Sequence, residues 1–318
     1  MPQTKGLNRI AIVGAGAVGA TIAYAAMIRG LAPQIVLYDI DRTKVHAQTL
    51  DLNHGLQFVP MATIDGSDDI GICRDATVVV ITAGAKQKPG QSRLELAAAN
   101  CAMLKSIVPQ LLRIAPDAIF LLVTNPVDVI TQVTLKISSL ARNRVLGSGT
   151  VLDSSRFRFL IARRLKVAVQ NVHANIAGEH GDSEIPLWSS ATVSGIPLHE
   201  WAVRGHGSLS VRDRTEIVQE VKTAAHQIIE GKGATNYAIG LATAQILDAI
   251  LRDQNRVLSV SSLIEKFGDI DDVCLSLPCI VNKSGVEPPL PIPLNPAEAA
   301  GLANSAATIK SALAAVGF

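Results

Sequence analysis

The run Arg9-Ile-Ala-Ile-Val13-Gly14-Ala-Gly16-Ala-Val18-Gly19 joins a β-branched segment of strand length to three glycines, and these open an apolar stretch, Ala17–Ile28, of helical length. A glycine triplet alone says little. Set between a strand and a helix it is a dinucleotide-binding fingerprint. Gly14 makes the tight turn, Gly16 lets a pyrophosphate approach the backbone, and Gly19 lets the helix pack closely on the strand. The helix N-terminus then presents free N–H groups to phosphates.

Working outward, Gln34–Ile40 reads as a second strand ending in acidic residues, and Asp39 stands 20 residues beyond Gly19. A carboxylate there accepts hydrogen bonds from an adenosine ribose and repels a 2′-phosphate, which favours NAD over NADP. The other reading of Asp39 is a turn or cap residue. Thr77–Thr82 and Ala118–Thr124 are unbroken apolar runs, as expected of parallel strands buried on both faces. Strand–helix alternation predicts an α/β protein with a doubly wound parallel Rossmann sheet. The second half differs. Helices are expected over about Asp153–Arg164 and Val211–Glu230, and strands over Val257–Leu263, Asp272–Val281 and Pro289–Leu294. Their prolines suggest antiparallel pairing near sheet edges. A last helix starts with Asn295 as cap, Pro296 in the first turn and Glu298 three residues past the cap. Gly147-Ser148-Gly149 interrupts the pattern. The division expected is an NAD-binding Rossmann domain over 1–148 and a mixed α/β substrate-binding domain over 149–318.

Composition narrows the function. The 318 residues are 48% hydrophobic with a net charge of +2, unlike a disordered chain. That balance gives no electrostatic footprint for nucleic acid or an anionic membrane, and the longest apolar runs fall short of the roughly 20 residues a membrane span needs. The four cysteines form no Cys-x-x-Cys pair, which leaves a zinc or redox site unsupported and no metal expected. They read as small buried hydrophobes in a reducing compartment. Met1–Arg9 lacks the apolar core of a signal peptide, and a cytoplasmic protein is expected.

Three further motifs carry chemistry. In Gly178-Glu-His180-Gly181-Asp-Ser, a histidine between glycines sits on permissive backbone, and an unperturbed pKa of about 6.5 suits reversible proton transfer. A plain surface-loop histidine is the other reading. In Asp153-Ser-Ser-Arg156-Phe-Arg158, positions 153 and 156 share a helical face, while 158 lies about 200° from 156. Asp153 and Arg156 can therefore serve one site and Arg158 another surface, although Asp153 could also simply cap the helix. A carboxylate beside a histidine fixes its tautomer and stabilises the imidazolium. In Gly84-Ala-Lys-Gln87-Lys-Pro-Gly90-Gln-Ser92-Arg93-Leu-Glu95, a polar loop follows a strand, and Ser92 with Glu95 has capping-box spacing, so a helix should begin near Arg93. Such a loop is either an ordinary solvated connection or a closing one that carries Arg93 to a substrate oxygen.

Together with Thr124-Asn125-Pro126-Val127-Asp128, these motifs resemble the L-lactate/L-malate dehydrogenase family over almost the whole chain, and within it most the bacterial L-lactate dehydrogenases. The resemblance implies reversible hydride transfer between NADH and pyruvate, giving L-lactate. It implies His180 as acid/base, Asp153 orienting it, Arg93 polarising the carbonyl and Arg156 gripping the substrate carboxylate as a fork. Asn125 and Thr235 would line the substrate site. Cofactor contacts would fall on Gly14, Gly16, Val18, Gly19, Asp39, Lys44, Gly84, Ala85, Ser106, Val123 and Ser148. Gln87 matches the position that is Gln in lactate and Arg in malate dehydrogenases. Closing a loop over an unpaired second carboxylate is costly, so a neutral Gln87 favours pyruvate over oxaloacetate unless Lys86 or Lys88 reaches the pocket. Arg158 and His173 match residues that hold fructose 1,6-bisphosphate in activated members, at a two-fold contact between subunits. The resemblance further implies a homotetramer. Asn236-Tyr237 departs from the two aromatics that many relatives carry after Thr235. A malate or broader 2-hydroxy-acid dehydrogenase is the alternative Gln87 opposes. A non-catalytic NAD-binding sensor would lack His180, Asp153 or Arg93, and all are present.

Overall fold

The computed structural model describes residues 8–85, 93–201 and 208–318, the side chain of Arg93 excepted. The first half alternates as its apolar runs predict: β1 (Arg9–Val13), α1 (Ala17–Ile28), β2 (Gln34–Tyr38), α2 (Arg42–His54), β3 (Thr63–Ser67), β4 (Val78–Ile81), α3 (Arg93–Ile114), β5 (Ile119–Leu122), α4 (Val127–Ser138) and β6 (Val145–Gly147). These strands are parallel, in the order β6-β5-β4-β1-β2-β3. β4 and β5 are buried at every position because helices cover both faces. Strand order reverses between β1 and β4. The crevice beyond their C-terminal ends is where open α/β sheets bind ligands.

The second half runs α5 (Val151–Leu165), the short strands β7 (Val172–His173), β8 (Ile176–Ala177), β9 (Ile185–Pro186), β10 (Thr192–Val193) and β11 (Ile196–Pro197), then α6 (Val211–Lys232), α7 (Tyr237–Leu251), β12 (Arg256–Ile264), β13 (Val273–Asn282), β14 (Gly285–Pro289) and α8 (Pro296–Ala315). β13 pairs antiparallel with β12 on one side and with β14 on the other. They extend the first sheet through Ser261 opposite Gly147, giving β14-β13-β12-β6-β5-β4-β1-β2-β3. Apolar layers cover the two faces of this sheet, and a third cluster lies between α5, α6 and the short strands.

Two expectations for the C-terminal strands are corrected. The edge strand is Gly285–Pro289 rather than Pro289–Leu294. Pro291 and Pro293 have no N–H for a ladder, so pairing stops where they begin. β13, expected near an edge because of Pro278, lies inside the sheet between β12 and β14. The register shifts between Cys279 and Val281 on the β14 side, and the Pro278 carbonyl accepts from the Leu290 N–H at 2.9 Å. α8 begins as its sequence predicts, with Asn295 and Glu298 in a reciprocal capping box. Among the described residues, no helix is long and apolar enough to cross a membrane.

Candidate active site

The glycine loop has the shape its spacing predicts. Gly14 sits at φ +106°, and a Cβ there would come within 2.7 Å of the Ala83 nitrogen. A Cβ on Gly19 would lie 1.9 Å from the Gly14 carbonyl oxygen, so only glycine lets α1 pack this close to the turn. Gly16 faces open space, with nothing within 4 Å of a Cβ, and it precedes the first turn of α1, where Val18 is half-buried. Asp39 lies beside this loop, just past the end of β2. Its Oδ2 accepts from the Ala15 N–H at 2.8 Å and pairs with Lys44 Nζ at 2.8 Å, and its Oδ1 accepts from the Asp41 N–H at 3.0 Å. Asp41, not Asp39, caps α2. Burial pushes the Asp39 carboxyl up, but Lys44 and the backbone donors outweigh it and hold its pKa below the usual range. A crowded turn, an open glycine face and a fixed anion next to it fit NAD.

The opposite wall comes from β4 and β5. A Cβ on Gly84 would meet Thr124 Cγ2 at 2.6 Å. The Ala85 N–H donates to Asn100 Oδ1 at 2.8 Å, and Asn100 Nδ2 donates to the Asn125 carbonyl at 2.8 Å. Val123 and Ser148 follow β5 and β6 and donate their N–H groups to Ile81 and Leu122. Ser106 is exposed on α3, and its carbonyl accepts from Gln110 Nε2 at 2.9 Å. Gln87, with Lys86, Lys88 and Ser92, lies outside the described residues. Arg93 is placed by its backbone as the first residue of α3.

At the start of α5, Thr150 is the N-cap, so Asp153 lies inside the helix and is not its cap. Asp153 is buried. Its Oδ1 accepts from Arg156 Nη1 at 2.8 Å and its Oδ2 meets His180 Nδ1 at 2.6 Å. His180 is held by its backbone too: its N–H donates to Asp128 Oδ2 on α4 at 2.8 Å. Gly178, at φ +87°, exchanges two backbone hydrogen bonds with Ser276 on β13. The Asp153 charge raises the His180 pKa to about 9, against the opposing effect of burial. For Asp153 itself, burial acts upward, but His180 and Arg156 bring its pKa below the usual range. His180 is thus an imidazolium at neutral pH, resting on a carboxylate that also orients an arginine fork.

Thr235 is half-buried in the turn between α6, which Gly233 caps, and α7. The departure at Asn236 has a structural role, since its Nδ2 donates to Thr21 Oγ1 on α1 at 2.8 Å. Arg158 points away from the Asp153 cluster, as helical geometry predicts. It donates to the Ala174 carbonyl at 2.7 Å and to Asn175 Oδ1 at 2.8 Å. With the exposed His173 it lines a cavity of about 370 Å³ that Gln170 and Gln245 share. Three polar residues near the site received no role from the sequence: Asn100, Asp128 and Glu184. Asp128 carried a signal, a lone carboxylate opening the apolar run Val127–Ile130. Asn100 and Glu184 carried none.

Two family models match most of the chain: the lactate/malate dehydrogenase NAD binding domain over residues 8–147 and the lactate/malate dehydrogenase alpha/beta C-terminal domain over residues 150–317. The chain belongs to the lactate/malate dehydrogenase family. The L-lactate dehydrogenase of Bifidobacterium animalis subsp. lactis is 54% identical to this family member over 312 residues, 98% of each chain. That of Acetivibrio thermocellus is 44% identical over 311 residues, again 98% of each. Among solved structures, a lactate dehydrogenase from a Medee basin deep-sea metagenome library superposes with a TM-score of 0.94 at 39% identity, covering 98% of this chain and 100% of that one. The ligand-bound minor L-lactate dehydrogenase of Enterococcus mundtii gives 0.92 at 38%, covering 97% and 98%. The glycine loop and Asp39 lie within the NAD-binding part of this lactate/malate dehydrogenase, and Asp153, Arg156 and His180 within its C-terminal part.

Proposed function

We propose that this chain is an NAD-dependent L-lactate dehydrogenase with His180 as its acid/base. The observation that carries the reading is the row Arg156–Asp153–His180, an arginine fork and an imidazolium sharing one buried carboxylate. NADH, when bound, supplies a hydride to the substrate carbonyl carbon. His180 gives its Nε2 proton to the carbonyl oxygen as that oxygen gains charge, and in the reverse direction it takes the proton from the hydroxyl. Asp153 keeps Nδ1 protonated and stabilises the imidazolium. One Arg156 nitrogen is engaged by Asp153, which leaves the rest of the fork for the substrate carboxylate. Asn125 and Thr235 flank the substrate, Arg93 polarises its carbonyl, and Gln87 selects pyruvate over oxaloacetate.

The same reading takes Gly14, Gly16, Val18, Gly19, Asp39, Lys44, Gly84, Ala85, Ser106, Val123 and Ser148 as the cofactor's contacts, and the division at 148/149 as the domain boundary. The cavity at Arg158 and His173 is the site for fructose 1,6-bisphosphate as activator, the working form is a homotetramer, and the enzyme is cytoplasmic, where four unpaired cysteines suit a reducing medium. The test is the initial rate of NADH oxidation with pyruvate and with oxaloacetate, each with and without the bisphosphate. Pyruvate is expected to be strongly preferred, with the bisphosphate lowering its apparent KM. A preference for oxaloacetate would overturn the substrate assignment.

A further inference from the structure

Glu184 is not used by the mechanism above, yet it is among the most enclosed carboxyl groups of the chain. It is 7% exposed, and its Oε1 is fully buried with no hydrogen-bond partner among the described residues. Its place is set by the hairpin that carries the catalytic histidine: β8 and β9 pair Ala177 with Ile185, and the Glu184 N–H closes the turn on the Gly181 carbonyl at 3.2 Å. The charged groups facing it come from three elements: Asp153 and Arg156 on α5, His180 on the same hairpin and Lys222 on α6. Lys222 is half-buried, and its Nζ donates to the Asp182 carbonyl at 2.7 Å. A carboxylate left unpaired in such a place is expensive.

The charge balance of the site gives this residue a consequence. With Asp128 and Asp153 ionised, and with His180, Arg156 and Lys222 cationic, the groups around Glu184 carry one net positive charge. The substrate then brings one negative charge to Arg156. Ionising Glu184 would put a further negative charge beside the same arginine before the substrate arrives. We propose that Glu184 is a positioning residue for substrate binding, a buried acid that must hold its proton for Arg156 to accept an anionic 2-oxo acid, and whose ionisation weakens substrate binding without altering the hydride step. The inference rests on the reading of Arg156 as the carboxylate fork. Burial first, and the Asp153 charge second, raise the Glu184 pKa to about 8, and the Glu184 charge in turn helps to raise His180 to about 9, so the two groups lose their protons as a coupled pair.

The experiment is the pH dependence of kcat and of KM for pyruvate, from pH 6 to 10, in the wild type and in Glu184→Gln. The wild-type KM should rise across two coupled ionisations from about pH 8 upward, and the variant's across one, with half the limiting slope against pH. The variant's KM should be lower by roughly tenfold at pH 9 and differ less than twofold at pH 6.5, for one unit charge at close range. A variant KM raised by the same factor at every pH would mean a structural role only, and coincident profiles would mean no role. Either overturns the proposal and leaves the activity standing, whereas a wild type without turnover on any 2-oxo acid overturns the activity too. A second measurement needs no variant. Proton uptake when oxamate, an amide analogue of pyruvate, binds the NADH complex is read by calorimetry in two buffers of different ionisation enthalpy. Uptake should peak near pH 8, and uptake confined to pH above 9 refutes the role of Glu184.

Discussion

In the proposed mechanism His180 donates a proton in one direction of the reaction and accepts it in the other, and Asp153, at 2.6 Å, sets the pH at which it changes over. With the imidazolium held to about pH 9, the kcat of pyruvate reduction should show an alkaline break near that pH, falling tenfold per unit beyond it. Lactate oxidation, which needs the neutral ring, should climb towards the same pH. Asp153→Asn removes the charge that raises the pKa. The break should then move about two units towards the ordinary histidine value, and kcat should fall on the order of 10²- to 10⁴-fold. The pH profiles of both directions check this, and a variant whose break stays near pH 9 would show that Asp153 is not the source of the shift. Asp153 and Arg156 were legible because they lie one helical turn apart within a motif, and His180 because its glycines mark it. Asp128 and Glu184 were not, because what gives them meaning is distant in sequence: Asp128 meets a backbone N–H 52 residues away, and Glu184 faces α5 and α6.

At the scale of elements, the glycine loop separates packing from binding. Gly19 allows α1 to approach the turn, and its replacement by alanine sets a Cβ 1.9 Å from a backbone oxygen that has nowhere to go. Gly19→Ala should cost about 1–3 kcal/mol of stability, and NADH affinity with it. Gly16 is extended, at φ −75° and ψ −173°, and faces open space, so Gly16→Ala should stay within about 1 kcal/mol of the wild type. The same change should weaken NADH binding by tenfold or more, because it obstructs the backbone at the pyrophosphate. Chemical denaturation and NADH fluorescence titration, run side by side, measure both. Equal losses of stability and affinity in the two variants would refute the distinction. This loop could be read before the structure because its constraints act within a few residues. The strand at Gly285–Pro289 could not, since its prolines speak against pairing and only the partner, β13, shows which carbonyls and N–H groups are used.

Across the whole molecule, α1 and α7 pack on each other, and their outward sides carry Tyr24 and Ile28 on one and Tyr237 and Leu241 on the other, each pair one turn apart and each residue about half exposed or more. Apolar residues at that spacing on two neighbouring helices form a face suited to a second copy of the chain. One turn further along α7, Gln245 lines the cavity that Arg158 and His173 share. Among the described residues, a single copy lines it with one arginine and one histidine, the arginine already donating to Ala174 and Asn175. The proposed bisphosphate effector would need more positive charge than that, and the proposed assembly would supply it from a second copy approaching across a two-fold axis. Assembly and effector binding would then share α7, so the effector should stabilise the assembly by binding to it preferentially. Sedimentation velocity over a range of protein concentrations tests this without reference to activity. The wild type should shift to larger species when fructose 1,6-bisphosphate is added at low protein concentration. Arg158→Gln should lose that shift, and Leu241→Arg should sediment as a smaller species under all conditions. A wild type whose sedimentation does not change with concentration or with the bisphosphate would remove the link between the apolar face and the cavity, and would leave Arg158 as the residue that fastens the strand before His180 to α5.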